Sequence, residues 1–133
     1  MMCVFCKIIS GEYSSHKIYE DEKVLAILDL SQATVGHTLV MPKKHYENIF
    51  DLDEKIAKHL FSVVKQISNH YKNKLPNLKG INLLNNNGSK AGQTVMHYHM
   101  HIIPRYDNDD LVEMKFTEHK LNLNEICNEL KIK

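Results

Sequence analysis

Charge of one sign is what this sequence most lacks. Seventeen Lys and Arg against sixteen Asp and Glu leave a formal net charge of +1, so no whole-protein field exists to gather nucleic acid or an anionic membrane. Any anion must be held by a local arrangement of groups. Long apolar runs are also missing. No segment approaches the roughly 20 apolar residues that span a bilayer, and the first ten residues show no basic leader followed by an apolar stretch, which predicts a cytoplasmic protein. Cysteine is scarce, and the odd count of three suits a reducing compartment better than a disulfide framework. No internal repeat, low-complexity tract or linker interrupts the 133 residues, which predicts one domain over 1–133 with a real core.

Hydrophobic patterning then predicts an α+β domain with mostly antiparallel strands and one main helix. Residues 5–10 fit a single helical turn ended by Gly11. Residues 17–19 and 24–28 read as a hairpin across the polar turn 20–23, and 37–41 as a third strand stopped by Pro42. Between 52 and 74, Ile56, Leu60, Val63, Val64, Ile67 and Tyr71 recur at spacings of three and four, the stripe of an amphipathic helix. Asp51 and Glu54 have capping-box spacing at its start, Pro76 ends it, and His59 and His70 are expected in solvent. Residues 80–84 form a further strand. A last helix over 122–131 follows from Leu123, Ile126, Cys127 and Leu130.

The chemistry concentrates in 92–105, where His97, His99 and His101 alternate strictly with Tyr98 and Met100. A strand sends such residues to one face, with neighbouring imidazoles about 7 Å apart and the outer two about 13 Å. The row is expected on an exposed face, with Val95, Tyr98, Met100 and Ile102 buried behind it. Near neutral pH an imidazole can be nucleophile, acid, base or metal ligand. Just upstream, the polar loop 85–92 carries Gly88 and Gly92, which permit positive φ and close approach of N–H groups to an anion. Loop and row together suit phosphoryl chemistry: an imidazole attacks phosphorus while neutral donors stabilise the developing charge. Ser89 lies in no nucleophile-elbow pattern. Cys3-Val-Phe-Cys6 alone fits redox chemistry, a metal or neither, although a thioredoxin-like reading lacks its βαβ context. A closed tetrahedral zinc site would need two more ligands, for which His45 and His97 are the strongest candidates.

His97-Tyr-His-Met-His-Ile-Ile103 resembles the H-x-H-x-H-x-x signature of the histidine triad (HIT) family. Asp29-Leu-Ser, Gly36-His-Thr-Leu-Val-Met-Pro-Lys-Lys-His45 and Asn85-Asn-Asn-Gly with Gly92-Gln-Thr-Val95 resemble further segments of bacterial HIT hydrolases. The likeness runs from about 3 to 105, leaving 106–133 as a C-terminal extension. It implies the HIT-like fold, with two protomers pairing into one extended sheet as a homodimer. It also implies hydrolysis of purine nucleoside 5′-phosphoramidates, or related phosphate-linked nucleotides, through a nucleotidyl-histidine intermediate.

By position, the resemblance makes His99 the nucleophile. It sets His101 on the phosphate and leaving-group side, with His37 behind the triad as support. Asn86, Gly92, Gln93 and Thr94 fall at phosphate-contacting positions and Asp29 at the ribose hydroxyls. Phe5, Ile8, Ile27 and Leu30 fall near the base. Bacterial members with CxxC look like zinc binders, which implies zinc on Cys3, Cys6, His45 and His97. Two alternatives stand beside this reading. One is a dinucleoside polyphosphate hydrolase, and the other a nucleotide-binding dimer that engages partner proteins with only residual hydrolysis. A nucleotidylyl transferase is less well matched, because that branch replaces the third histidine with glutamine.

Overall fold

In a computed structural model, which describes residues 3–111 and 115–132, the chain forms one five-stranded sheet and three α-helices. Its strands are β1 (Lys17–Glu20), β2 (Val24–Leu28), β3 (Thr38–Pro42), β4 (Gly80–Leu84) and β5 (Met100–Arg105). Every pairing is antiparallel, and the spatial order is β1-β2-β3-β5-β4. The long crossover from β3 carries α2 (Glu54–Lys74), while the short α1 (Val4–Ile9) precedes the sheet and α3 (Leu123–Leu130) follows it. No helix among the described residues is long and apolar enough to cross a membrane.

The two central strands explain how both faces are covered. Along β2 and β3 nearly every residue is buried, so alternate side chains feed two separate clusters. Val24, Ala26, Val40 and Ile102 pack against Leu60, Val63, Val64, Ile67 and Tyr71 of α2. Each of these buried helix residues contributes roughly 1.5–3 kcal/mol by leaving water. Leu25, Ile27, Leu39 and Met41 face the other way and are covered by Phe5 of α1. Because Leu39 pairs with His101, His101 lies on this second face, under α1.

Several expectations need correction. The cap of α2 is Asp53, whose side chain accepts from the Ile56 N–H at 3.1 Å. Asp51 instead accepts from the N–H groups of Glu47 and Asn48 in the preceding loop. Pro42 is the last residue of β3, paired with Val24, rather than a residue beyond it. His59 is not simply solvated: its Nε2 lies 2.6 Å from Asp21, which also accepts from the Tyr19 hydroxyl at 2.7 Å. That carboxylate ties the β1–β2 turn to α2. The last helix forms as expected, capped by Asn122, but none of its residues is buried. Of the C-terminal extension, 112–114 and 133 lie outside the described residues.

Candidate active site

The histidine row differs from its expected form. Ladder pairing in β5 begins at Met100, so only His101 sits in the strand. His97 and His99 occupy an irregular approach to it, and both are buried, at 0% and 6% exposure. Their backbone is held by loops: the Tyr98 N–H donates to the Tyr46 carbonyl at 2.7 Å, and Asn85 Nδ2 donates to the His99 carbonyl at 2.9 Å. The His99 and His101 rings come within 5.0 Å, centre to centre, closer than an ideal strand allows. Val95, expected behind the row, packs with the Phe5 and Leu25 cluster instead, while Tyr98, Met100 and Ile102 face α2.

Each ring has its tautomer fixed by a partner that can play only one role. A carbonyl only accepts, so the bond from His99 Nδ1 to the His97 carbonyl, at 2.7 Å, places the proton on Nδ1. Neutral His99 then keeps its lone pair at Nε2. His97 is the mirror case: Nε2–H donates to the Pro42 carbonyl at 2.8 Å, leaving the lone pair at Nδ1. In His37, Nδ1 accepts from the Ala33 N–H at 3.2 Å. Its proton is therefore on Nε2, donated to His101 Nδ1 at 2.9 Å. His101 in turn carries its proton on Nε2.

Burial favours the neutral form of the three rings of the row. Burial pushes His97 and His99 below the ordinary imidazole range. Burial, helped by the neighbouring His99 and His37, lowers His101 to about 4. Asp29 stands 3.6 Å from His37 Nε2 and accepts from the Ser31 N–H at 2.8 Å. Its charge opposes, but does not cancel, the depression at His99 and His101. The site therefore presents a buried neutral ring with its lone pair at Nε2, His99, beside a half-buried neutral N–H donor, His101.

Around these rings the other candidate residues fall into three groups. Phe5 presents its ring edge-on to His99 at 5.0 Å and to His97 at 5.9 Å. Ile27 is buried and Ile8 half-buried in the same cluster, whereas Leu30 is 85% exposed. In the glycine loop, Gly88 and Gly92 both take positive φ, 94° and 100°, which only glycine adopts freely. Gln93 is buried and staples the loop: its amide donates to the Glu47 and Val95 carbonyls and accepts from the Gly88 N–H. Asn86 leans back on the Gly92 carbonyl at 3.4 Å, and Thr94 is exposed at the end of the loop.

The third group is a metal-binding set. Cys3, Cys6, His45 and His97 bring their donor atoms within 4.8 Å of one another. Zinc at ordinary bond lengths spans tetrahedral edges of about 3.3 Å between nitrogens and about 3.6 Å between nitrogen and sulfur. Here the two Nδ1 atoms are 3.1 Å apart, Cys3 and Cys6 lie 3.4 and 3.6 Å from His97, and Cys6 is 3.4 Å from His45. The Pro42 carbonyl aims the His97 lone pair into this set. Burial and then the adjacent Cys3 thiol push Cys6 up to about 11, a balance that a bound cation inverts by stabilising thiolates. The residues fit a structural metal.

Two residues with a hold on the site escaped the sequence reading. Asn85 fixes the His99 backbone, and the Ala33 N–H fixes the His37 tautomer. The Asn85-Asn-Asn run signals a loop but not which amide turns toward the histidines, and a backbone N–H leaves no mark in sequence.

An open antiparallel sheet carries a row of histidines of which His97 and His99 are buried, with a glycine loop beside it and a Cys₂His₂ set at one end. The chain belongs to the HIT family: the HIT domain model matches residues 10–108. It is 55% identical to the Bacillus subtilis protein named hit over 108 residues, 81% of this chain and 74% of that one. A solved HIT family protein of Bacillus anthracis superposes with a TM-score of 0.88 at 51% identity, covering 96% of this chain and 91% of that one. A zinc-bound histidine triad protein of Mycobacterium smegmatis superposes with a TM-score of 0.79 at 37% identity, over 89% of this chain and 85% of that one. An adenosine 5′-monophosphoramidase of Candida albicans is 37% identical over 108 residues, 79% of this chain and 71% of that one.

Proposed function

We propose that this protein hydrolyses purine nucleoside 5′-phosphoramidates, or closely related phosphate-linked nucleotides, to the nucleoside monophosphate. The observation that carries this reading is His99: buried, neutral, and with its lone pair fixed at Nε2 by the His97 carbonyl. An imidazole held this way is a nucleophile at neutral pH without needing a base. Attack forms an Nε2–P bond and breaks the bond from phosphorus to the leaving amine. Water then cleaves the nucleotidyl-histidine, and the monophosphate departs. His101 Nε2–H donates to the phosphate and leaving-group side, with His37 behind it.

The glycine loop supplies the phosphate site, through Asn86, Gly92 and Thr94, with Gln93 holding the loop in shape. Asp29 receives the ribose hydroxyls. Phe5, Ile8, Ile27 and Leu30 receive the base, an apolar setting suited to a flat purine. A Candida albicans relative named as a phosphoramidase supports the substrate class. Zinc on Cys3, Cys6, His45 and His97 joins α1 to the catalytic segment, a reading supported by the zinc-bound mycobacterial relative. When bound, zinc supplies structure rather than reaction chemistry, since four protein ligands close its coordination. We further propose a cytoplasmic homodimer, formed across β4 at the sheet edge.

The test is turnover of adenosine 5′-phosphoramidate and of a diadenosine polyphosphate by wild type and by His99→Ala. AMP release from the first substrate, lost in the variant, is the expected result. Preference for the second would replace the substrate class, and equal release by both proteins would end the assignment of His99.

A further inference from the structure

We infer that Gln32 is a positioning residue that sets the direction of the proton chain through His37 and His101. The inference rests on the reading of His101 as the donor on the phosphate side. Gln32 spans the loop between β2 and β3 with three hydrogen bonds from its amide. Its Nε2 donates to the Asp29 carbonyl at 2.6 Å and to the His37 carbonyl at 2.7 Å, while its Oε1 accepts from the Gly36 N–H at 2.9 Å. These bonds reinforce a small ring whose two ends, Asp29 and His37, are also joined by the Asp29 N–H donating to the His37 carbonyl at 3.0 Å. Inside that ring the Ala33 N–H points at His37 Nδ1.

That N–H, acting with the Asp29 carboxylate 3.6 Å from His37 Nε2, favours one tautomer of the pair. With it in place, His37 carries its proton on Nε2, His101 Nδ1 accepts, and His101 Nε2–H faces outward. Without it, His37 is free to carry its proton on Nδ1. His37 Nε2 then accepts from His101 Nδ1–H, and His101 turns a lone pair toward the anionic phosphate. A donor becomes a repulsive acceptor with no change in any heavy atom of the triad.

Core packing does not hold this loop on its outer side. A cavity of about 550 Å³ lies there, lined by Gln32, Ala33, Thr34, Val35 and Tyr106 among others. The loop is anchored at its far end by Thr34 Oγ1 to the Pro104 carbonyl and Tyr106 Oη to the Val35 carbonyl. Inside the loop the His37 N–H donates to the Thr34 carbonyl at 3.1 Å, and Gln32, next to Ala33 in the chain, adds side-chain bonds to Asp29, Gly36 and His37 that brace this turn. As an exposed residue Gln32 can be replaced without opening the core.

The experiment combines imidazole ¹⁵N spectra with steady-state kinetics on adenosine 5′-phosphoramidate. Wild type is expected to show His37 and His101 protonated at Nε2. In Gln32→Met, a share of both rings should shift to Nδ1–H, with kcat about tenfold lower and KM changed less than about twofold, as for loss of a transition-state donor. Gln32→Glu keeps the acceptor for Gly36 but loses both donated bonds, and it should behave alike if Gln32→Met fails to fold. Wild-type His37 protonated at Nδ1 overturns the inference without any variant. So does a folded variant that loses kcat with its tautomers intact, or shifts tautomers with kcat intact. A wild type that does not turn over this substrate defeats the proposed function, while the spectra still decide the role of Gln32.

Discussion

If zinc fills the proposed Cys₂His₂ site, removing it should loosen the whole entrance to the site, and the size of the effect follows from how α1 is held. This helix has six residues, well under the roughly 12–15 that an isolated helix needs to be even marginal in water. One buried residue, Phe5, anchors it to the sheet, worth roughly 1.5–3 kcal/mol. Ile8 and Ile9 pack only partly against the same cluster, and the Cys₂His₂ set joins the first turn to His45 and His97. A metal present at about a thousandfold over its dissociation constant stabilises the fold by about 4 kcal/mol. For a chain of this length that corresponds to a melting temperature higher by roughly 10–15 °C. Chelation, or the double change Cys3→Ser and Cys6→Ser, should lower the melting temperature by about that amount. Zinc should restore the chelated protein but not the variant. Turnover should fall in parallel, because Phe5 braces the edge of the His99 ring. Thermal melts followed by circular dichroism, alongside metal analysis, decide the matter. Confirmed metal loss with an unchanged melting temperature refutes the structural role.

Further outcomes follow from single contacts. Asn85→Ala removes the donor to the His99 carbonyl; stability should drop by about 1 kcal/mol, and kcat by roughly fivefold to tenfold at a similar KM, as the proposed nucleophile loses its alignment. Unchanged kcat would show that the bond is idle. Acid should weaken the fold through His101, whose folded value near 4 lies below the usual 6.5. Below pH 6.5 the unfolded chain takes up a proton that folded His101 refuses. The contribution is therefore complete above about pH 6.5 and declines as the pH falls toward 4. A fully buried ring would contribute roughly 3 kcal/mol across that gap, and solvent at this half-buried ring reduces it to roughly 1–2 kcal/mol. Urea unfolding of wild type and His101→Gln between pH 7 and 4 should show the shallower pH slope in the variant, and equal slopes would contradict this.

How far the sequence could be read depended on whether each feature was local. The stripe Leu60, Val63, Val64, Ile67 and Tyr71 identified α2 because burial on one face imposes its period on the residues themselves. The run 80–84 was read to the residue as β4. Asp53 was passed over in favour of Asp51 because both have side chains able to cap, and only the turn geometry distinguishes them. The spacing of His97, His99 and His101 pointed to the right residues but to the wrong setting. Alternation suggests a strand with an exposed face, yet Tyr46, Asn85 and Pro42 capture the backbone and rings before the ladder begins. Those partners are distant in sequence, so neither the burial of His97 and His99 nor the tautomer of each ring is legible from spacing alone.

The central claim is that His99 Nε2 takes the nucleotidyl group. Rapid acid quench of wild type during turnover of adenosine 5′-phosphoramidate, followed by mass spectrometry of the peptides, tests it directly. The account predicts a transient adenylyl adduct on His99, absent from His99→Ala. An adduct on His97 or His101, or turnover of His99→Ala at the wild-type rate, would contradict it.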